Sequence, residues 1–440
     1  MFDKLINSKI FKKRLKFLKN SQYDNKIKIK NYQTSEFIKL IEYAYHNVDF
    51  YKNYFSNNNL KLKDFKKLDD IRKLPIIDKE IIKQNPKQFI SKEYRNKKIF
   101  YRTTAGSTGQ PLKIYYDQEF KSKDLANTFF YMSIANGLDP LNYKSIRLYG
   151  DKIKINKNKK IFWKKISKNK YFYSSYDIND KNIIYYFNHL NKFKPDYIHA
   201  RPSSIILLCD SLDRINLKIN FKIKCIFLDG EVLHFSQRKK IEKILDTKIF
   251  LTYGHTEGSL LGYSCGKKNN IHFAHQVGIV EIINNKNKAA KYVGEVVVTG
   301  FNNKVMPLIR YNTNDIAKLY KHTCKCKRKY VCASEITGRT NSYVFDKNRN
   351  KFMVAPIIFN YNEIDWSIVK KFKIQQKKIG QLILNVVPIN NKQLFKINNI
   401  AKKIQKVLKN KFVIKLKIKK ELNFTKRGKF NYIKQQIKNL

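Results

Sequence analysis

CIFLDGEVLHFSQRKKIEKILDTKIFLTYGHTE, residues 225–257, decides the fold of this chain. Cys225-Ile226-Phe227-Leu228 reads as a strand buried on both faces, and it stops at the turn signal Asp229-Gly230. Residues 235–245 carry helical spacing, and Lys248-Ile249-Phe250-Leu251-Thr252-Tyr253 reads as the next strand. A strand, a helix and a strand in so short a span form a parallel crossover unit, with ligands expected at the carboxyl ends of the strands. Working outward, the alternation runs from about residue 100 to 335. It includes Lys113-Ile114-Tyr115-Tyr116, a helix over 119–136, strands at Ser145–Tyr149 and Tyr197–Ala200, and a helix opened by Pro202-Ser203. Residues 1–75 read as helical, and the Asn/Lys stretches 151–170 and 284–291 as surface loops or hairpin tips. After Gly338-Arg339 the pattern changes. Strands at 372–374, 381–387 and 412–416 enclose a helix at 393–409, a compact α+β arrangement. The expected fold class is α/β: a large domain over 1–340 with mixed, mainly parallel sheets and flanking helices, then a small α+β domain over 341–440.

Composition narrows the function. The 440 residues are 42% apolar, enough for a real core. The formal charge is +57, yet only 13 of the 91 basic residues are Arg, and lysine is spread from end to end. A nucleic-acid protein would keep Arg for bidentate contacts and gather its cations on one face, so no nucleic-acid partner is expected and at most a weak attraction to membrane surfaces. The first residues lack a signal peptide, no long apolar run is present, and the six cysteines are too unevenly spaced for a disulfide scaffold. The expectation is a cytoplasmic protein with reduced thiols or metal ligands.

Glycine is scarce, and the first, Gly106, opens a telling segment: Thr103-Thr104-Ala105-Gly106-Ser107-Thr108-Gly109-Gln110-Pro111-Leu112-Lys113. Glycines, hydroxyls and a cation suit a phosphate-cradling loop. Lys113 lies four residues past Gly109 with no Ser or Thr after it, which excludes an ordinary Walker loop. Gly230 and Glu231 end one strand where an adenine or ribose would sit. Tyr253-Gly254-His255-Thr256-Glu257 ends the next with an aromatic face and a carboxylate suited to Mg²⁺. Arg310 and Asp315 follow, five residues apart. Arg102, Arg147, Arg201, Arg310 and Arg339 all lie beside these segments, where a bidentate fork is worth most.

In order, these segments resemble the adenylate-forming superfamily of acyl-CoA synthetases. Thr104–Lys113 is similar to its phosphate loop, Tyr253–Glu257 to its Tyr-Gly-x-Thr-Glu, and Arg310-Tyr311-Asn312-Thr313-Asn314-Asp315 to its Arg-Tyr-x-Thr-Gly-Asp. Gly338-Arg339-Thr340-Asn341 resembles the hinge, and Lys426-Arg427-Gly428-Lys429 the segment that delivers a catalytic lysine. Ala44–Tyr51 and Leu74-Pro75-Ile76 further resemble the phenylacetate–CoA ligase branch, including relatives found with capsule biosynthesis. Three positions depart from the pattern: Asn314 for Gly, Asn341 for the hinge Asp, and Ala105 for Ser.

The resemblance implies ATP-dependent attack of a carboxylate on the α-phosphate and transfer of the acyl group to a thiol, most simply CoA. Lys429 and Glu257 would be catalytic. Glu257, with the Thr104, Ser107 and Thr108 hydroxyls, would hold Mg²⁺; Asp315 would take the ribose, and Gly230, Glu231 and Tyr253 the adenine. Gly106, Gly109, Lys113, Gly254, Thr256, Arg310 and Arg339 would complete the nucleotide site, and Asn341 would be the hinge of a mobile C-terminal domain. Alternatives are transfer to an amino sugar or carrier in surface-polysaccharide assembly, or a catalytically weakened binding member. Cys265, His272, Cys324 and Cys326 have the types and number for a structural Zn²⁺ site, with Cys332 as a spare ligand; free thiols are the other reading.

Overall fold

The computed structural model describes residues 5–104, 112–137, 142–150, 153–156, 158–267, 269–284, 287–322, 324–339, 344–352, 354, 368–390, 394–422 and 433–437. The chain divides into two compact units, residues 1–143 with 250–336 and residues 144–249 with 337–440. The first unit begins with α1 (Lys9–Ser21), α2 (Lys26–Asn47), α3 (Asp49–Asn57) and α4 (Lys79–Gln84). A hairpin of β1 (Phe100–Thr103) and β2 (Lys113–Tyr116) leads into α5 (Gln118–Asn136). Helix α5 is capped at both ends: the Asp117 side chain accepts from the Phe120 N–H, and Gly137 closes the last turn at φ +66°.

The second unit then supplies β3 (Ser145–Leu148), β4 (Trp163–Ser167), β5 (Lys170–Tyr173), α6 (Ile183–Phe193), β6 (Tyr197–Ala200), α7 (Pro202–Arg214), β7 (Cys225–Leu228) and α8 (Phe235–Leu245). The chain returns to the first unit at residue 250. It runs through β8 (Ile249–Tyr253), β9 (Gly262–Ser264), β10 (Ile271–Phe273), β11 (Gly278–Ile283), β12 (Val293–Gly300), β13 (Tyr311–Leu319) and β14 (Val331–Arg339). The second unit resumes with β15 (Val344–Phe345), β16 (Lys351–Phe352), β17 (Val369–Lys378), β18 (Gln381–Pro388), α9 (Leu394–Leu408), β19 (Val413–Ile418) and β20 (Ile433–Gln435).

In the second unit β5, β3, β6 and β7 lie side by side in parallel, with β4 antiparallel outside β5. Rows Ile146–Ile198–Ile226 and Leu148–Ala200–Leu228 cross the strands and are buried. The near-continuous apolar strands are what a parallel sheet covered on both faces requires. In the first unit the strand order is β11-β12-β13-β14-β10-β9-β8, antiparallel in every pair of defined register. The chain thus mixes both pairings, as expected, with parallel pairs between 145 and 228 and again where β19 joins β18 and β20 joins β17.

Phe37, Leu40, Ile41 and Ala44 of α2 are buried with Tyr51, Phe55 and Phe65, and the cluster reaches Ile279 and Ile309. Gly278 starts β11 where a Cβ would collide with the backbone oxygens of Thr299 and Ser259, so only hydrogen fits. Among the described residues no helix is long and apolar enough to cross a membrane.

Residues beyond 344 have their own core. The sheet order is β19-β18-β17-β20, and its apolar side chains, among them Phe372, Ile374, Leu382, Leu384 and Val386, cluster with Ile397, Ile400, Ile404 and Leu408 of α9. Those four recur at three- and four-residue spacing, the stripe an amphipathic helix buries. Ile404→Ala should therefore weaken this core by about 2–5 kcal/mol. Hydrogen exchange of the α9 amides in the full chain measures it; unchanged protection would show that the helix does not depend on this stripe.

Candidate functional site

The site grows from the turn that ends β8. The Gly258 N–H donates to the His255 carbonyl at 3.1 Å, so residues 255–258 form a tight turn with Gly258 at φ +69°. A Cβ at Gly258 would strike Arg102 and Phe120. The turn turns Glu257 inward, where it is 6% exposed. Its Oε1 accepts from the Tyr311 hydroxyl at 2.7 Å and its Oε2 faces His255 Nδ1 at 2.9 Å. Burial pushes the carboxyl up, but the bonds from His255 and Tyr311 outweigh it and hold the group at about 2. Glu257 is thus a buried carboxylate that stays ionised.

Asp315 comes from a bulge. Between Glu295 and Val297 of β12 the register with β13 jumps, so that Glu295 faces Ile316 and Val297 faces Asn312. Residues 313–315 are extruded from the ladder. Asn314 adopts φ +59° and its N–H donates to Asn312 Oδ1, so an asparagine does here what glycine does in the resembling motif. The Tyr253 hydroxyl donates to Asp315 Oδ2 at 2.7 Å, bringing the ends of β8 and the bulge together.

Arg310 takes a different place from the nucleotide residues it was read with. It is buried at φ +51°, and Nε and Nη2 each reach an oxygen of Glu281 at 3.1 Å while Nη1 donates to the Leu74 carbonyl at 2.9 Å. Thr104 closes the neck of the phosphate-loop segment: its N–H donates to the Leu112 carbonyl and its Oγ1 accepts from the Leu112 N–H. Lys113 extends over the Tyr101 ring at 4.9 Å. Thr256 is half-buried beside Glu257.

In the second unit Gly230 has φ +74°, and Glu231 accepts from the N–H and hydroxyl of Ser203, both at 2.9 Å, at the start of α7. His199 and Asp229, at the ends of β6 and β7, meet at 3.0 Å. Gly106, Ser107, Thr108, Gly109, Asn341 and Lys429 lie outside the described residues, and Arg339 is described only as the end of β14. Sequence reasoning assigned no role to Tyr311 or His255, although both stand inside the quoted motifs.

A second centre sits on β9, β10 and the segment before β14. One ligand atom each from Cys265, His272, Cys324 and Cys326 lie within 4.8 Å of one another. Cys265 Sγ is 3.6 Å from Cys324 Sγ, and Cys326 Sγ is 3.7 Å from His272 Nε2. Tetrahedral zinc with ligands at about 2.3 Å (S) and 2.0–2.1 Å (N) places sulfurs about 3.8 Å apart and a sulfur about 3.5 Å from nitrogen, so the donor set fits. The hydrogen bond between Cys265 and Cys326 pulls the Cys265 thiol down and pushes the Cys326 thiol up. Cys332 is not a fifth member. Directly opposite His272 across the ladder, its sulfur meets Nδ1 at 3.0 Å, on the far side of the ring from Cys326.

No protein-family model matches the chain. It is 26% identical over 390 residues to Protein CapK of Staphylococcus aureus, covering 86% of this chain and 82% of that protein. It is 22% identical over 328 residues to a phenylacetate-coenzyme A ligase of Pseudomonas putida, covering 71% of each. Among solved structures it matches 2-hydroxyisobutyryl-CoA ligase in the postadenylation state in complex with R3-HIB-AMP, with a TM-score of 0.73 and 14% identity over 94% of this chain and 91% of that one. The fold is that of the adenylate-forming CoA ligases.

The Arg310–Glu281 pair generates a prediction. The Arg310 side chain is 4% exposed, and Glu281→Gln would leave it buried without a counter-charge. The full chain should lose about 3–5 kcal/mol in denaturant unfolding; a loss below about 1 kcal/mol, the scale of a surface ion pair, would show the pair to be dispensable.

Proposed function

We propose that this chain is an ATP-dependent, AMP-forming ligase that activates a carboxylate as its acyl-adenylate and passes the acyl group to a thiol, coenzyme A. The observation that carries the reading is the convergence of Tyr253, Glu257 and Asp315 in the first unit, from motifs 62 residues apart in sequence, on a fold shared with CoA ligases. The likeness in sequence to phenylacetate-coenzyme A ligases supports it.

In this reading a carboxylate oxygen attacks the α-phosphorus of ATP and pyrophosphate leaves. A thiol then attacks the acyl carbonyl and AMP leaves. Asp315, aligned by Tyr253, accepts from the ribose hydroxyls; the Tyr253 ring flanks the adenine. Thr104 and the loop that follows it enclose the phosphates, and Lys429 stabilises charge on the reacting phosphate. Glu257 suits Mg²⁺: it is ionised, and after the bonds from Tyr311, His255 and its own backbone N–H the carboxylate still has lone-pair capacity for a cation. Bound Mg²⁺ would offset phosphate charge. Residues 341–440 form the mobile domain of this proposal, turning at Asn341 to bring Lys429 in for the first step and clear the way for the second.

A second reading, acyl transfer to an amino sugar or carrier, is favoured by the stronger and longer likeness to Protein CapK than to the phenylacetate ligases. The cysteine–histidine centre is a structural Zn²⁺ site in either case, because four protein ligands leave no position for substrate.

Three measurements test these assignments. A carboxylate panel scored by pyrophosphate release with and without CoA should show acyl-CoA by mass spectrometry; adenylation without CoA use would select the second reading, and no release with any acid would sink both. Asp315→Ala should weaken ATP binding by about 1.5–3 kcal/mol in calorimetry, with unchanged affinity removing Asp315 from the ribose. Metal-replete protein should hold about one zinc per chain, and Cys324→Ser should lose it together with thermal stability before adenylation changes. Absence of zinc would leave ordinary thiols.

A further inference from the structure

In the resembling motif Tyr-Gly-x-Thr-Glu the middle position is unspecified, and in this chain it is His255. The tight turn closed between the His255 carbonyl and the Gly258 N–H places His255 and Glu257 at its first and third positions, on one side of the backbone. Their side chains are 11% and 8% exposed, and Nδ1 lies 2.9 Å from Oε2. An ionised carboxylate only accepts, so Nδ1 carries the proton and donates. The other nitrogen, Nε2, is shielded from solvent and has no hydrogen-bond partner among the described residues. A buried imidazole with one nitrogen unmet is a costly way to fill space. Among the described residues the one hydrogen bond of the imidazole is the one to Glu257.

On the opposite side of the carboxylate the Tyr311 hydroxyl serves Oε1, and the His255 and Tyr311 rings lie 6.1 Å apart, flanking Glu257. Two donors from different segments, each on its own oxygen, leave the carboxylate a single orientation. With the bond from its own backbone N–H counted, the carboxylate keeps lone-pair capacity for one further partner.

We propose that His255 is a positioning residue for a divalent cation at Glu257: its Nδ1–H, with the Tyr311 hydroxyl, holds the carboxylate in the orientation that meets the cation of a metal–nucleotide complex. This rests on the reading of Glu257 as the cation ligand. In this proposal His255 is not itself a ligand of the cation. It acts as residues beyond the ligand shell act at metal sites, through the orientation and charge of the ligand, where removal costs 10- to 100-fold in affinity.

The test uses the full chain and Mn²⁺ with ATP, reading free Mn²⁺ by electron paramagnetic resonance, so that turnover does not enter. Glu257→Gln should lose most of the Mn²⁺ affinity of the ATP complex. His255→Leu, of similar volume without a donor, should lose about tenfold or more, and His255→Asn, whose amide N–H stands near the place of Nδ1–H, should regain most of it. If Glu257→Gln loses Mn²⁺ while His255→Leu binds as wild type does, the positioning role falls and Glu257 stands. If Glu257→Gln binds as wild type, the reading of Glu257 falls and the role of His255 with it. Should His255→Leu fail to fold, His255→Asn against His255→Gln decides. Asn keeps a donor close to the backbone where Nδ1 sits and Gln carries it one carbon further, so equal affinities overturn the proposal.

Discussion

A buried guanidinium holds the first unit in register. Arg310 uses Nε and Nη2 on both oxygens of Glu281 in β11 and Nη1 on the Leu74 carbonyl at the end of the helical region. Its backbone is also engaged: the N–H donates to Thr299 Oγ1 of β12, and the carbonyl accepts from the Ile77 N–H. One residue thus joins segments separated by more than 200 positions. The φ of +51° is strained for a side chain of this size and is held by the bonds of its backbone and guanidinium. A lysine would bring the charge without the fork, and the desolvation of Glu281 would be poorly offset.

From that anchor the chemistry follows along the strand. The next residue, Tyr311, reaches Glu257, and a few residues on the bulge extrudes Asp315 toward Tyr253. Two carboxylates are therefore placed by phenol hydroxyls, and burial drives the Tyr253 phenol far above its ordinary range. Positioning through neutral donors leaves the negative charge on the carboxylates available to a ligand. The cysteine–histidine cluster lies on the same strand set, because β9, β10 and β14 carry or adjoin its thiols and imidazole.

How much of this the sequence disclosed depended on range. The crossover segment 225–257 fell where apolar runs and helical spacing put it, with α8 over Phe235–Leu245, because fully buried strands and amphipathic helices write their pattern locally. Strands β9 and β10 are three residues each and left no period to read. Hairpin β4–β5 lay inside a Lys/Asn-rich stretch and is held by aromatic packing such as Trp163 on His189 at 4.1 Å, which no local pattern shows. The cysteine–histidine set was legible because ligand types announce themselves. The place of Cys332 was not, since only the β10–β14 register sets it against Nδ1. Likewise Tyr311 and His255 stood within recognised motifs, but their service to Glu257 spans 54 residues in one case and a turn geometry in the other.

Gly278 and Arg310 belong to the two residue types this chain uses sparingly, 15 glycines and 13 arginines in 440 residues beside an abundance of lysine, asparagine and isoleucine. A composition so tilted works as a sieve. Wherever a lysine can stand in for an arginine, or a side chain can be fitted where a hydrogen was, drift toward the common residues removes the rare one. What stays behind is a map of irreplaceability: Gly278 because two carbonyl oxygens occupy the space of its missing carbon, Arg310 because one ammonium cannot grip two carboxylate oxygens and a carbonyl at once.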